Sequence, residues 1–220
     1  MVISRILCVL IGYAVGLFQT GYIYGKIHNV DIRQHGSGNA GTTNTLRTLG
    51  VKAGAITFAG DCGKAIVAIF VAWLIFHNQY PDTIKLLELY TGLGAVLGHN
   101  YPFYMKFKGG KGIACTMGVM LAFYWPLALI GVTVFILTVL ASRYVSLGSI
   151  LAVIALFIEF VVFGQLGHLP VAGGQLTEVY VIALVFSGMA LWRHRANIKR
   201  LLGGTESKLS FKKAGKTDLK

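Results

Sequence analysis

The segment from Gly36 to Arg47, GSGNAGTTNTLR, combines glycines and polar side chains in a spacing that suits the binding of a phosphate group. The glycines allow backbone N–H groups to approach an anion closely, and an arginine can donate two parallel hydrogen bonds to phosphate. Residues 42–50 are expected to begin a short helix whose N-terminus faces the anion. A flexible linker with an N-capping serine would not need these Asn, Thr and Arg side chains. The candidate contacts are Gly36, Ser37, Gly38, Asn39, Gly41, Thr43, Asn44 and Arg47.

A second segment, GHNYPFYMKFKGGKGIA at residues 98–114, places three lysines around two consecutive glycines. Attraction to lipid headgroups alone would explain the lysines, but the glycines and the adjoining His–Asn pair favour a binding site. The segment is not a nucleotide-binding P-loop, because Lys111 is followed by Gly112 and not by Ser or Thr. Its candidate site residues are His99, Asn100, Lys106, Lys108, Gly109, Gly110, Lys111 and Gly112.

The third segment, HRANIKRLLGGTE at residues 194–206, follows the last apolar run of the chain. Asn197 and Arg200 are three residues apart, so a short helix would present both on one face. A basic cluster beside the membrane explains this segment nearly as well when it is taken alone. Its candidate site residues are His194, Arg195, Asn197, Arg200 and Glu206.

The rest of the chain has the composition of a membrane protein. Only 13% of its 220 residues are charged, against about a quarter in a soluble protein, and the mean hydropathy is +0.67. Long apolar runs predict an all-α, polytopic bundle of about seven transmembrane helices. The predicted helices cover residues 2–24, 51–76, 84–98, 113–124, 126–141, 145–165 and 178–193.

The basic residues predict how these helices are oriented, because Lys and Arg concentrate in cytoplasmic loops. Of the 20 Lys and Arg residues, 17 fall in residues 25–52, in residues 99–112, at Arg143 and from Arg193 onward. The loops 77–83 and 166–177 contain none. Seven spans place all the basic segments on one face, which is therefore cytoplasmic. The N-terminus is then outside the cytoplasm and the C-terminus inside it, in a multi-pass protein of the cytoplasmic membrane.

The net charge of +12 is explained by this orientation and by anionic lipid, and not by nucleic acid. No aromatic and basic platform of the RNA-binding type is present in the sequence. We expect one integral-membrane domain over residues 1–206. Residues 207–220 are expected to form a basic cytoplasmic tail that is partly disordered and lies on anionic lipid.

The spacing of the cysteines and glycines favours structural roles. Cys8, Cys62 and Cys115 have neither metal-ligand nor CxxC spacing, so they are expected to be small buried side chains, and no metal or other cofactor is expected. Four glycine pairs have the spacing that lets membrane helices pack closely. These pairs are Gly12 with Gly16, Gly21 with Gly25, Gly50 with Gly54, and Gly94 with Gly98.

Several charged or titratable positions lie outside the three polar segments. Asp61 and Lys64, three residues apart inside the second predicted helix, are equally well explained as a functional pair and as two charges that neutralise each other. Glu159, inside the sixth predicted helix, has no evident role. The run from His77 to Asp82 matches an HxxxxD acyltransferase pattern, but it falls on the opposite face, so we interpret it as chance.

Taken together, the three polar segments resemble the acyl-phosphate:glycerol-3-phosphate acyltransferase family of bacteria (the PlsY family). They stand here as GSGNAGTTNTLR, GHNYPFYMKFKGGKGIA and HRANIKRLLGGTE, in the same order as the three cytosolic motifs of that family. The departure in the first segment is Thr42, where the family has alanine. The resemblance extends from the first loop to Glu206, and three ordered motifs are highly specific.

The resemblance implies an enzyme that transfers a fatty acyl group from acyl phosphate to the 1-hydroxyl of sn-glycerol 3-phosphate. The products would be 1-acyl-glycerol 3-phosphate (lysophosphatidate) and inorganic phosphate, with neither coenzyme A nor acyl carrier protein as direct donor. This fits the residues, since two phosphates need cations and an acyl chain needs an apolar groove. Catalytic roles would fall to Ser37, Arg47, His99, Lys111 and His194, and the other candidates would bind the substrates.

Some questions remain open at this point. The general base is either His99 or His194, or the phosphate of the activated substrate itself. An acyl-enzyme intermediate at Ser37 is a weaker alternative, because no Ser–His–Asp arrangement is evident.

The assignment of each phosphate to a motif does not follow from the residues, although the resemblance favours glycerol phosphate near the first and third motifs. A transporter of a phosphorylated metabolite is the competing class, and it should show polar machinery on both faces.

Overall fold

The computed structural model describes residues 1–209, and over these residues the secondary structure is helical, with no β-strand. Its ten α-helices are α1 (Val2–Gly16), α2 (Thr20–Ile27), α3 (Thr42–Leu49), α4 (Val51–Phe76), α5 (Ile84–Asn100), α6 (Ile113–Phe123), α7 (Trp125–Ser142), α8 (Val145–Gln165), α9 (Leu176–Arg193) and α10 (Arg195–Leu202). Single 3₁₀ turns lie at Ile32–Gln34, Pro81–Thr83, Phe103–Met105 and Gly173–Gln175. Most of the predicted basic tail, residues 210–220, lies outside the described residues.

The prediction of an all-α membrane bundle is confirmed. Five helical segments are long and apolar enough to cross a membrane: Val2–Ile27, Val51–Phe76, Trp125–Ser142, Val145–Gln165 and Gly173–Arg193. The two remaining apolar helices, α5 and α6, are not among them. With 11 residues, α6 extends about 16 Å at 1.5 Å per residue, roughly half of a hydrocarbon core of about 30 Å.

The prediction of one continuous helix over residues 2–24 is wrong, because the helix is interrupted between α1 and α2. The break leaves the backbone carbonyl of Phe18 free to accept a hydrogen bond from Lys64 Nζ at 2.5 Å. Gln19, which is fully buried, donates its side-chain amide to the carbonyl of His99 at 3.0 Å. Hydropathy does not register this interruption, since the residues around it are apolar.

Close packing through glycine is confirmed for α1 and α5. A Cβ atom added at Gly12 or Gly16 would overlap the backbone of α5. A Cβ atom added at Gly94 or Gly98 would overlap the backbone of α1. The two helices therefore pack backbone to backbone, as small residues allow in a membrane. This contact holds the end of α5, and with it the second polar segment, against the break between α1 and α2.

Most charged side chains within the bundle are paired. Arg5 on α1 bonds Glu178 on α9 with both ends of its guanidinium, at 2.5 and 2.8 Å, and Tyr90 donates to the same carboxylate. Glu159 on α8 differs, because it is buried and neither carboxylate oxygen has a hydrogen-bond partner among the described residues. Burying an unpartnered polar group is unfavourable, so this position is not explained by stability.

The helices place the three polar segments at one end of the bundle. The first segment runs into α3, the second leads into α6, and the third forms α10 directly after α9. The short helices predicted after Gly41 and after His194 are both confirmed. Beneath this end, α6, α7 and α8 pack side by side around the apolar core.

Candidate active site

The first polar segment folds into a loop that its own asparagine holds in shape. Both N–H groups of the Asn44 amide donate to backbone carbonyls, of Ile32 at 2.8 Å and of His35 at 3.1 Å. Asn44 Oδ1 accepts from the backbone N–H of Ser37 at 2.8 Å and from its hydroxyl at 3.2 Å. Gly36 and Gly38 take the positive φ values of 57° and 68° that the turn requires. Asn44 is therefore engaged within the protein, where it positions Ser37.

The second polar segment folds back onto the end of α5. The N–H groups of Gly109 and Gly110 donate to the carbonyls of Asn100 and His99, each at 3.1 Å. The guanidinium of Arg193 binds the carbonyls of the same two glycines at 2.7 and 2.8 Å. Gly110 cannot take a side chain unless the loop or His99 moves, because a Cβ there would overlap the imidazole of His99. The loop is thus fixed from both sides before α6 begins.

The N-terminus of α6 follows this loop and opens toward the interior of the bundle. Gly112 has a φ of 84° and turns the chain into the helix without a side-chain cap. The first turn of a helix leaves backbone N–H groups without intrahelical partners, and its dipole favours an anion there. Lys111 adds a positive charge at the same place. The α6 N-terminus therefore has the chemistry of a phosphate site.

The third polar segment joins Lys111 through a hydrogen-bonded chain. Lys111 Nζ donates to Asn197 Oδ1 at 2.5 Å, and Asn197 Nδ2 donates to Glu206 Oε1 at 2.8 Å. Glu206 also accepts from the hydroxyl of Ser146 at 2.8 Å and from Arg200 Nε at 2.7 Å. Burial raises the pKa of Glu206, but these hydrogen bonds outweigh burial and hold the pKa below its usual value. The carboxylate thus stays charged and fixes Asn197.

Lys111 and His194 also have lowered pKa values. The pKa of Lys111 is lowered to about 8, chiefly by burial and also by the nearby arginines, against the attraction of Glu206. Burial also lowers the pKa of His194 to about 4. His194 Nδ1 lies 2.7 Å from the carbonyl of Ala190, which can only accept, so Nδ1 carries the proton. Neutral His194 therefore presents Nε2 as a hydrogen-bond acceptor.

Parts of all three segments line one cavity of about 290 Å³. Its polar end is formed by Ser37, Asn39, Gly41, Thr42, Thr43, Asn44, Arg47, Asp61, His99, Lys111, Gly112, Ser146, His194, Asn197 and Glu206. Its apolar walls come from α6, α7 and α8, through Met117, Met120, Leu127, Ala128, Gly131, Val132, Phe135, Ala152, Val153 and Leu156. The cavity can hold an anionic head at one end and an apolar chain at the other.

The structure leaves several predicted residues outside this cavity. They are Gly36, Gly38, Asn100, Lys106, Lys108, Gly109, Gly110, Arg195 and Arg200. Lys106 and Lys108 are exposed, and Arg195 is exposed and lies over the ring of Trp192. Asn100 is fully buried, and neither polar atom of its side chain has a hydrogen-bond partner among the described residues. The glycines shape the loops, and Arg200 acts on Glu206.

Two contributions were missed by reasoning from the sequence. Arg193 was counted only among the basic residues that set the orientation, yet it holds both glycine carbonyls of the second loop. The sequence feature that could have indicated this role is its position directly before His194, within one basic cluster. The second contribution is Ser146, which opens α8 and reaches Glu206. A serine in an apolar helix gives no sequence signal of that contact.

Fold and cavity together define a class: an integral-membrane helical protein with a cavity that joins polar loops to an apolar groove. A family model described as glycerol-3-phosphate acyltransferase matches residues 6–204. The chain belongs to this glycerol-3-phosphate acyltransferase family, the one that its three segments resemble.

Named relatives and solved structures agree with this assignment. A glycerol-3-phosphate acyltransferase of Alkaliphilus metalliredigens is 41% identical over 94% of this chain and 97% of its own length. One from Shouchella clausii is 39% identical over 97% of this chain and all of its own. Crystal structures of PlsY, an integral membrane glycerol 3-phosphate acyltransferase, are similar in their glycerol 3-phosphate and lysophosphatidic acid forms. Their TM-scores are 0.80 and 0.78, at 36% identity over 94% of this chain and 96% of theirs.

Proposed function

We propose that this protein transfers a fatty acyl group from acyl phosphate to the 1-hydroxyl of sn-glycerol 3-phosphate, as the first step of phospholipid synthesis. The bond between the acyl carbon and the phosphate oxygen breaks, and an ester bond forms to the glycerol oxygen. Lysophosphatidate and inorganic phosphate leave. The observation that carries the proposal is the cavity, whose cationic end continues into an apolar groove between α6, α7 and α8. No metal, nucleotide or other cofactor enters the reaction as proposed.

The two phosphates are assigned by the position of the groove. Its apolar wall begins on α6 directly below Lys111 and Gly112, so an acyl chain in the groove brings its phosphate to the α6 N-terminus. Arg47 and Ser37 then remain for glycerol 3-phosphate, with Asn197 and His194 beside it. The lysine and the backbone N–H groups stabilise the charge that develops as the acyl carbon is attacked.

The proton of the glycerol hydroxyl passes to the phosphate of the donor. His194 Nε2 is placed to accept a hydrogen bond, but its pKa of about 4 makes it a weak base at neutral pH. The phosphate leaving group becomes more basic as its bond to the acyl carbon breaks, so it takes the proton as it departs as inorganic phosphate. His194 therefore orients the hydroxyl, and the substrate supplies the base.

Phosphate release tests the reaction directly. Purified protein in detergent is supplied with palmitoyl phosphate, with and without glycerol 3-phosphate. We expect phosphate release to require the acceptor and to match lysophosphatidate formation one for one. Glycerol is the control acceptor, since it has the same hydroxyls and lacks the phosphate. Phosphate release that is independent of glycerol 3-phosphate would make the protein a hydrolase and contradict the proposal.

The catalytic rate should depend on the protonation of Lys111. A lysine with a pKa of about 8 is charged below that pH and neutral above it, so kcat/KM for glycerol 3-phosphate should fall above about pH 8. The substrate phosphate has finished its second ionisation by then. Initial rates between about pH 6 and about pH 10 measure this, corrected for non-enzymatic hydrolysis. Lys111→Arg should abolish the alkaline loss in whatever activity remains, because arginine stays protonated; an unchanged profile would refute this role.

The apolar groove should select the acyl chain. Gly131 lines it, and a Cβ atom there would meet no heavy atom within 4 Å, so Gly131→Phe fills space that a long chain needs. We expect kcat/KM with palmitoyl phosphate to fall about tenfold or more, and with octanoyl phosphate much less. The matched control is Gly188→Phe, which is equally unobstructed but lies outside the cavity on α9. Equal losses with both donors would place the acyl chain elsewhere.

We propose seven spans, with α5 and α6 crossing together with the five longer segments and with the cavity on the cytoplasmic face of the cytoplasmic membrane. The basic loops support this orientation. Single cysteines at Ser37, Lys108 and Asn78, in a chain without its three native thiols, measure it. An impermeant thiol reagent added to intact cells should label only the cysteine at position 78. Labelling at position 37 or 108 would mean that the orientation is the inverse of the one proposed.

A further inference from the structure

Below the second loop, a buried polar cluster of Asp61, Lys64 and His99 joins α4 to α5. Asp61, Lys64 and His99 are 1%, 6% and 2% exposed. Lys64 Nζ lies 3.1 Å from Asp61 Oδ1 and 2.8 Å from His99 Nδ1. Asp61 and His99 line the cavity, and Lys64 lies behind them. Thr20 donates to the same oxygen of Asp61 at 3.1 Å.

The hydrogen bonds of Lys64 determine which nitrogen of His99 carries a proton. An ammonium group has three N–H donors and no acceptor. The three neighbours of Nζ are the carbonyl of Phe18, the carboxylate of Asp61 and the Nδ1 atom of His99. All three must accept, so Nδ1 of His99 carries its lone pair toward Lys64. A neutral imidazole then holds its proton on Nε2.

The Nε2 edge of His99 faces the second loop. The ring packs against Gly110, where an added Cβ would overlap Nε2, Cε1 and Cδ2. The carbonyl of the same histidine accepts from the N–H of Gly110 at 3.1 Å. The Nε2–H group therefore lies at the glycines that lead into the α6 N-terminus. His194 has the opposite tautomer, with Nδ1 bonded to Ala190 and Nε2 free to accept.

We propose that Lys64 is a positioning residue that fixes His99 in its Nε2–H tautomer, so that His99 donates a hydrogen bond to the phosphate end of the acyl donor. Asp61 pairs with Lys64 inside the bundle and holds Nζ beside Nδ1 of His99. The two histidines then divide the work: His99 donates to the leaving phosphate, and His194 accepts from the glycerol hydroxyl. This assignment rests on the proposed acyl transfer, and it removes His99 from the candidates for a general base.

The tautomer is read by nitrogen NMR on protein labelled with ¹⁵N-histidine in detergent, with His99 identified by the signals lost in His99→Gln. We expect Nε2 to be protonated and Nδ1 not. In the double variant Asp61→Asn/Lys64→Met, Nδ1 loses its donor, so part of the population should carry the proton on Nδ1. Replacing both charges together avoids leaving one buried charge uncompensated. A wild-type His99 protonated on Nδ1, or on both nitrogens, would overturn the proposal.

Kinetics separates a donor from a base. Glutamine keeps an N–H near the position of Nε2 but cannot take up a proton, so His99→Gln should keep kcat within about tenfold of wild type. His99→Leu removes the donor and should lower kcat about 10²-fold. The Asp61→Asn/Lys64→Met variant should fall between these two, with the KM for glycerol 3-phosphate unchanged. A glutamine variant no more active than the leucine variant would contradict a donor role.

A second acid–lysine pair, in which the glutamate is buried and the lysine is partly exposed, provides the control. Lys85 and Glu88 are also three residues apart and bonded at 2.8 Å, but on α5 and outside the cavity. Lys85→Met/Glu88→Gln should leave both kcat and the His99 spectrum unchanged. If the Asp61→Asn/Lys64→Met variant fails to fold, the wild-type spectrum still reports the tautomer of His99. The comparison of His99→Gln with His99→Leu still tests whether His99 acts as a donor. Absence of acyl transfer by the purified protein would refute the proposed function. The NMR spectrum would still report the tautomer of His99 in that case.

Discussion

Lys111→Met should lower the kcat for lysophosphatidate formation by about 10²–10³-fold, the loss typical when one donor to a developing oxyanion is removed. Lys111 lies at the α6 N-terminus, lines the cavity and reaches Asn197 at 2.5 Å. Methionine keeps the length and apolar stem of the side chain, so the change removes the charge and the donors. Initial rates with palmitoyl phosphate at saturating glycerol 3-phosphate measure the effect.

Lys108→Met is the informative comparison for Lys111. Both lysines flank the same two glycines in the sequence, but Lys108 is exposed and outside the cavity. An exposed charge contributes at most about 1 kcal/mol, so the loss should not exceed about fivefold. Thermal unfolding of both variants in detergent checks that the fold is kept. Comparable losses at the two positions would mean that the exposed lysine also reaches the substrates.

Arg47→Ala should lower kcat/KM for glycerol 3-phosphate by about 10–150-fold. A charge-assisted hydrogen bond contributes about 1.5–3 kcal/mol, and about 1.4 kcal/mol corresponds to a factor of ten. Arg47 lines the cavity on α3, and in this structure its Nη2 donates to the carbonyl of Ser207 at 3.3 Å. Arg47→Lys should restore activity only in part, because lysine keeps the charge and loses the planar fork.

Arg195→Ala is the control for Arg47, since Arg195 carries the same group but is exposed beside Trp192. Its loss of a surface charge should change kcat/KM by no more than about fivefold. Full activity in Arg47→Ala, or full rescue by lysine, would each contradict a bidentate contact between Arg47 and phosphate.

Composition and local spacing were sufficient to predict the class of fold and the three polar segments. Apolar runs identified where the helices lie, and the short helices α3 and α10 followed from the residues that start them. These features depend on neighbours in sequence. The break between α1 and α2 was missed, because it is stabilised by Lys64, which lies more than forty residues away and donates to the carbonyl of Phe18.

The roles within the site depended on partners that the sequence does not reveal. Asn44 was predicted to contact substrate, but its amide is engaged by four groups of its own loop. Lys106 and Lys108 share a motif with Lys111, yet only Lys111 points into the cavity. Asp61 and Lys64 were left undecided between function and neutralisation. Their contact with His99 comes from the packing of α4 against α5, which no local pattern contains.

The choice of acyl donor is the most direct test of the proposed acyl transfer. Purified protein is given glycerol 3-phosphate with palmitoyl phosphate, palmitoyl-coenzyme A or palmitoyl-acyl carrier protein, each with and without EDTA, and lysophosphatidate is measured by mass spectrometry. We expect product from palmitoyl phosphate alone, with one phosphate released for each lysophosphatidate and no effect of EDTA. Comparable product from either thioester, or activity lost on chelation, would contradict the proposal.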